Sequence, residues 1–371
     1  MLEASGSDND LSDKQQSDSS ESGTPEKEPT KPKGGSKKPK AAPRTAGKGN
    51  MNFEAEIEEL ESQREELKEI HNRTQLDLSG EIEKLTQRID EVIAATYADL
   101  GAWDRVKVAR HPERPVASDY ITNITDDFIE LHGDKCFGDD QAIVTGLAAI
   151  GETRFMLIGH RKGRTTKERV ACNFGSAHPE GYRKALRKMR LAEKMRLPIV
   201  AMINTPGAYP GIGAEERGQA EAIAENILQM FSLRVPVLVI VLGEGGSGGA
   251  LGIGIGDRVL MMEYAYYSVI SPEGCAAILW KDGARTADAA EALKLTATDL
   301  SGLGLIDGVI KEPTGGAHRD REAAMAEMRR TIVEELGNLS KLPIDELLAK
   351  RLDKFRHAGY MEGRFPTVSG A

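Results

Sequence analysis

The run Val235–Leu242, reading VPVLVIVL, passes straight into Gly243–Gly249, reading GEGGSGG. A strand that is apolar at nearly every position needs cover on both of its faces. That requirement points to a buried sheet with helices on either side. Five of the seven residues after the strand are glycine. Glycine admits a backbone or a substrate where a side chain would block it. Shorter apolar, β-branched runs recur at 142–150, 155–158, 199–203, 258–262 and 266–270. Amphipathic stretches at 180–196, 214–233 and 286–295 separate several of them. Strand and helix patterns in alternation predict an α/β core.

The chain has 371 residues, enough for one large domain or two smaller ones. A formal net charge of −9 argues against nucleic acid as the partner of the folded part. The three cysteines, Cys136, Cys172 and Cys275, are far apart and form no CxxC. That usage fits a reducing compartment and argues against a zinc site built from this chain alone. No run approaches the ~18 apolar residues of a membrane helix. The start of the chain lacks the apolar core of a secretory peptide. A soluble, cytoplasmic protein without contact to a membrane is expected.

Residues 1–50 stand apart. They are acidic and Ser-rich up to Pro29, then basic and Pro/Gly-rich from Thr30 to Asn50. With almost nothing apolar to bury, this stretch predicts a disordered tail. Phe53, Ile57, Leu60 and Leu67 recur at helical spacing, as do Ile82, Leu85, Ile89 and Val92. The break at 76–80 makes this a helical hairpin with a narrow apolar stripe, packed within the chain or against a partner. After Asp320 the pattern is helical through Leu352 and ends in a polar tail.

Three segments could carry chemistry. Asn204–Gly211 (NTPGAYPG) follows a strand, and its two prolines and two glycines predict a rigid turn with free amides. Glu215 and Glu216 then suit the first turn of a helix. Gly243–Gly249 predicts backbone N–H groups gathered around an anionic oxygen, with tight helix–sheet packing as the plainer account. The same segment matches G-x-S-x-G, which would make Ser247 a hydrolase nucleophile. Its partners would be His318 or His357 with Asp307. No lysine follows the glycines, so it is not a phosphate-binding P-loop. Tyr267–Cys275 (YSVISPEGC) places Ser271 as an N-cap, Pro272 at the first helical position and Cys275 in the first turn. The basic stretch Arg183, Lys184, Arg187, Lys188, Arg190 and Lys194 predicts a solvated helix face, with a docking surface for phosphates or an acidic partner as the sharper alternative, and His160–Arg164 (HRKGR) a second basic loop with the same two readings. His132, His160 and His178 lack ligand-spaced partners, so no metal cluster is predicted.

Seven strings in order carry a resemblance: GDKCFGDDQA (133–142), IGHRKGRTTKE (158–168), PEGYRKA (179–185), TPGAYPGIGAEERG (205–218), GEGGSGGA (243–250), YSVISPEGC (267–275) and EPTGGAHR (312–319). Together they resemble the carboxyltransferase alpha-subunit family of multisubunit acetyl-CoA carboxylases, from about Met51 to about Tyr360. The resemblance implies a crotonase-like α/β fold, a spiral of ββα units. It would occupy 111–325, between a helical region at 51–110 and a C-terminal helical extension at 326–371. It implies a biotin-dependent carboxyltransferase of fatty-acid synthesis that moves a carboxyl group from carboxybiotin to acetyl-CoA, giving malonyl-CoA. The partners it implies are a beta subunit in an α2β2 assembly, a biotin carboxyl carrier protein and a biotin carboxylase. It assigns the oxyanion hole to Gly248 and Gly249. Gly207, Ala208, Tyr209, Gly245, Gly246 and Ser271 would line the biotin or substrate pocket. Such chemistry needs amide donors worth about 3–4 kcal/mol each rather than a side-chain base. The chain has no Ala-Met-Lys-Met biotin attachment sequence, so the biotin would sit on a separate carrier. No metal is implied in this chain.

Overall fold

The fold is described by a computed structural model covering residues 52–74 and 76–359. The tail expected over 1–50 and the polar end after 359 lie outside the described residues. The N-terminal hairpin is present as α1 (Ala55–Thr74) and α2 (Ser79–Ala98). Its stripe packs within the chain. Ile57, Ile89, Val92, Ile93 and Tyr97 close on Val108 and Tyr264.

The main body follows with α3 (Ala102–Ala109), α4 (Ala117–Ile124) and three strands, β1 (Asp127–Glu130), β2 (Ile143–Ile150) and β3 (Thr153–His160). Next come α5 (Thr166–Ala171), α6 (Pro179–Met195), β4 (Ile199–Thr205), α7 (Ile212–Glu216) and α8 (Gln219–Ser232). Then β5 (Val237–Gly246) leads into α9 (Ser247–Leu251), β6 (Arg258–Met262), β7 (Tyr266–Ser268) and α10 (Pro272–Leu279). The chain closes with α11 (Thr286–Leu293), α12 (Ala297–Gly302), β8 (Gly308–Ile310), α13 (Arg321–Leu339) and α14 (Ile344–His357).

The sheet runs β1-β2-β3-β4-β5-β6-β8. The β1-β2-β3 meander is antiparallel, and every pairing from β3 onward is parallel. All residues of β4 and β5 are buried, as strands covered on both faces must be. Only β7 leaves the main path. It pairs with the last three residues of β5, Glu244–Gly246. The sheet therefore splits at the glycine segment.

Three sequence boundaries shift. The strand expected at 235–242 extends through Gly246, so the first four glycine-segment residues are strand. The helix expected at 214–233 is two helices, because Gly218 adopts φ +80 between them. The helical end divides at Pro343, which heads α14 and has no N–H to continue a helix.

The basic stretch on α6 is a solvated face only at Arg190 and Lys194, which are exposed; its first part is not. Lys184 and Lys188 are 1% and 5% exposed. The Lys184 ammonium donates to Asp139 at 2.5 Å and to the Asp140 carbonyl at 2.6 Å. Lys188 donates to the His132 carbonyl at 3.0 Å, and Arg183 to Asp134 at 3.0 Å. A buried cation is tolerated when its donors all find oxygen. These cations clamp the 132–140 loop onto α6.

Candidate active site

Two turns meet at the carboxyl ends of β4 and β5. The strands are in register up to Ile203↔Val241, then slip to Thr205↔Gly245 through a bulge. The two extra residues lie on β5, and a bulge re-aims the strand that carries it, so it is the glycine segment that is turned against Pro206–Gly211. The turn is pinned at several points. Gly207 N donates to Thr205 Oγ1 at 3.1 Å, and Tyr209 N donates to the Ala177 carbonyl at 3.0 Å. The Tyr209 ring stacks on His178 with centroids 4.2 Å apart. Gln219 Nε2 donates to the carbonyls of Ala177 and Tyr209. These contacts account for the rigidity that the prolines predict.

The glycines divide into two kinds. A Cβ on Gly246 would meet the Pro206 carbonyl and stand 2.9 Å from Gly207 N. One on Gly249 would meet the Ala208 amide and lie 2.5 Å from the Gly207 carbonyl carbon. One on Gly245 would lie 2.8 Å from the Tyr267 ring. Real Cβ contacts do not close to such distances, so Gly246 and Gly249 let one turn pack against the other, and Gly245 lets β7 lie against β5. A Cβ on Gly207 or Gly248, in contrast, has nothing within 4 Å. These two face open space from opposite sides of the junction. Tight packing thus falls to Gly245, Gly246 and Gly249, and open space to Gly207 and Gly248.

Gly248 and Gly249 lie in the first turn of α9, whose N–H groups have no carbonyl one turn back to bond. Ser247 is exposed at φ +51, a conformation costing a non-glycine residue about 1–3 kcal/mol. Its hydroxyl meets no hydrogen-bond partner among the described residues. The other members of the hydrolase reading are occupied elsewhere. His318 stacks on His111 at 4.1 Å, His357 pairs with Asp353, and Asp307 accepts from Lys354 at 2.7 Å. No Ser–His–Asp set forms. His160 is fully buried against the Gly249 backbone, and that burial holds its imidazole neutral, down to about 3. Ser271 caps α10 by accepting from Gly274 N at 3.1 Å. Cys275 is buried behind it.

Sequence reasoning missed Glu244. This carboxylate is 6% exposed, at the point where β5 meets β7. It accepts from Arg110 Nε at 2.7 Å and from the Tyr266 hydroxyl at 2.8 Å, and Lys162 closes on its second oxygen. Asn204 Oδ1 accepts from the Glu244 amide at 3.2 Å. Arg110 reaches on to Glu273 of α10 at 2.6 Å. One buried acid therefore ties α10 and the loops after α3 and β3 to the glycine segment. The available signal was a lone charge among small residues behind a buried strand. The second missed group is Glu54, His111 and His318, whose ligand atoms lie within 4.8 Å of one another. No such cluster was predicted. Glu54 Oε1 already accepts from Tyr97 at 2.5 Å and from Arg319 at 2.8 Å, and His111 Nδ1 accepts from Glu113 N at 3.2 Å. Glu54 is thus held by Arg319, which also pairs with Glu61 of α1 at 2.8 Å.

Burial pushes the Glu244 carboxyl up, but Lys162 and Arg110 outweigh it and hold it at about 2, against an ordinary 4.5. A depressed carboxyl contributes stability that is present above 4.5 and lost as pH falls toward 2. Glu244→Gln is therefore expected to lower the melting temperature most at neutral pH. The gap from wild type should close between pH 4.5 and pH 2, as read by calorimetry. A constant gap from pH 7 to pH 3 would attribute the effect to packing rather than charge.

A family model described as acetyl co-enzyme A carboxylase carboxyltransferase-like matches residues 50–359. The acetyl-coenzyme A carboxylase carboxyl transferase subunit alpha of Geobacter metallireducens is 53% identical over 311 residues, covering 84% of this chain and 98% of that one. The protein of the same description from Fusobacterium nucleatum is 54% identical over 309 residues, covering 83% and 99%. Among solved structures, transcarboxylase 12S superposes with a TM-score of 0.51 at 19% identity, over 62% of this chain and 43% of that one. That likeness is one of fold, and the crotonase-like architecture agrees with it.

Proposed function

The chain belongs to the family of acetyl-CoA carboxylase carboxyltransferase alpha subunits, and we propose that its share of the reaction is performed by the backbone amides of Gly248 and Gly249. The enzyme of this family transfers a carboxyl group from carboxybiotin to acetyl-CoA and yields malonyl-CoA. Biotin, when delivered on its carrier, supplies the carboxyl group and a ring nitrogen able to take the methyl proton. This chain holds the oxygen on which negative charge collects. Donors fixed in advance stabilise that charge without reorganising, at about 3–4 kcal/mol each.

The observation that carries this reading is the open space at Gly207 and Gly248, framed by glycines that admit no Cβ. It is a cradle with backbone donors and no side chain in the way, which suits a flat ureido ring. Ala208 and Tyr209 form its wall on one turn, Gly245 and Gly246 on the other. Ser271 stands at the head of α10, and Glu273 two residues on links it through Arg110 to Glu244. The carboxyltransferase region spans 111–325 in this reading, with 51–110 and 326–371 flanking it.

The acyl-CoA half of the site belongs to a beta subunit, completing an α2β2 assembly in the cytoplasm. A biotin carboxylase and a biotin carboxyl carrier protein supply the carboxyl group. No helix among the described residues is long and apolar enough to cross a membrane. The test is reconstitution. The purified chain alone should leave malonyl-CoA unchanged, and adding a carboxyltransferase beta subunit should start turnover. Full activity of the isolated chain would overturn the proposal. Ser247→Ala is expected to keep kcat within about twofold, because the hydroxyl has no base to activate it. A loss beyond a hundredfold in steady-state assays would restore the serine as nucleophile.

A further inference from the structure

A cavity of about 250 Å³ opens beside the two turns, walled in part by Arg110, Lys162, Arg169, Phe174, Asn204 and Pro206. Asn204 and Pro206 begin the turn that carries Gly207 and Ala208, so the cavity and the cradle share a wall. Its charges do not balance. Arg110 is answered by Glu244 and Glu273, Lys162 by Glu244, and Arg114 by Glu312. Arg169, on α5, is half-buried, and its guanidinium has no hydrogen-bond or ion-pair partner among the described residues. The wall thus holds one cation more than its acids neutralise.

The rim is strained. Asn173, Phe174 and Gly175 have φ of 45°, 54° and 89°, all left-handed. Two non-glycine residues in that region cost about 1–3 kcal/mol each. Gly175 is wedged against Asn204, whose carbonyl oxygen would lie 2.8 Å from an added Cβ. The loop leaves Phe174 54% exposed at the cavity wall. A spare guanidinium in a wall shared with an apolar ring suits a single carboxylate, which arginine grips through two parallel hydrogen bonds. A polyphosphate would need more than one unmatched cation.

We propose that this cavity receives a carboxylate with the Arg169 guanidinium as its counter-ion, and that this is the carboxylate in transit, borne by malonyl-CoA or by carboxylated biotin. The proposal rests on the carboxyltransferase reading above. Its test uses the reconstituted complex with Arg169→Gln, Arg169→Lys and, as a control, Lys167→Gln, an exposed neighbour on α5. Melting temperatures are recorded alongside. In the reverse direction, malonyl-CoA takes up a proton and yields acetyl-CoA and CO2 in the presence of free biotin.

If malonyl-CoA is the source, Arg169→Gln raises its KM about tenfold or more, the scale of one lost charge-assisted pair, and leaves the KM for acetyl-CoA unmoved. If carboxylated biotin is the source, the KM for the carboxylated carrier rises by that factor in the forward direction and the KM for malonyl-CoA stays. In either case Arg169→Lys recovers part of the loss and Lys167→Gln changes nothing. The proposal is overturned if Arg169→Gln shifts no KM beyond twofold. It is equally overturned if acetyl-CoA and malonyl-CoA weaken together, since the group recognised would then be coenzyme A. Failure of the underlying reading is distinct: the wild-type complex itself would show no transfer.

Discussion

Gly249→Val is expected to lower kcat of the reconstituted carboxyltransferase by about 10²–10³-fold, the effect of losing one preorganised oxyanion donor. A Cβ at this position would run into the Ala208 amide and come within 2.5 Å of the Gly207 carbonyl carbon. Both obstacles are backbone, so neither can swing aside as a flexible side chain would. The two turns must separate, and the Gly248 and Gly249 amides move off target with them. Gly248→Ala is the informative contrast. Its added methyl meets nothing within 4 Å, so the turns stay in place and the methyl projects into the cradle. It should raise KM for the biotin substrate and leave the melting temperature unchanged. Steady-state kinetics beside circular dichroism separates the cases. Wild-type turnover in a folded Gly249→Val complex would remove these amides from the mechanism.

The largest stability effect is expected at Arg351, far from the site. This residue of α14 is 1% exposed and forms a two-pronged pair with Asp257 at 2.8 and 2.7 Å. It also donates to the carbonyls of Met230, Leu233 and Val235, at 2.6, 3.0 and 2.9 Å. Those carbonyls end α8 and begin the approach to β5. Arg351→Ala would strand a buried carboxylate and three carbonyls, a loss of about 3–5 kcal/mol. Urea unfolding should show it as a lower midpoint. Adding Asp257→Asn to an Arg351→Met chain removes the uncompensated charge. The acceptor for Val237 N at 2.7 Å is kept as the amide oxygen. The double variant should therefore lose less than the sum of the single losses. Strict additivity would show that the pair contributes nothing beyond packing.

Much of the architecture was legible in the residues. Strands β2 to β6 and helices α1, α2 and α6 come from period and burial pattern, which are local properties of the chain. The weak elements were not. Strand β1 alternates between exposed and half-buried residues with none buried, and β8 is three residues long, so neither leaves a distinct signal. The break at Gly218 was hidden because the apolar period continues on both sides of it. The solvated basic face on α6 holds at Arg190 and Lys194 but failed at Lys184 and Lys188 for a different reason. Lys184 and Lys188 look like surface residues until the 132–140 loop, some fifty residues earlier, supplies the oxygens that bury them.

Consecutive residues alone already place glycine-rich turns after two buried strands and carry the resemblance to a carboxyltransferase alpha subunit. Strand burial and glycine content are written in consecutive residues, so they need no fold to be read. Only the tertiary structure decided which glycines pack and which face open space, because that depends on a neighbouring turn about forty residues away. It also decided that Glu244 is a buried tie among several elements and that, among the described residues, Ser247 meets no base and Arg169 no acid. Each of those is a statement about distance between remote residues, and pairwise distance is what the fold adds to the order of the chain.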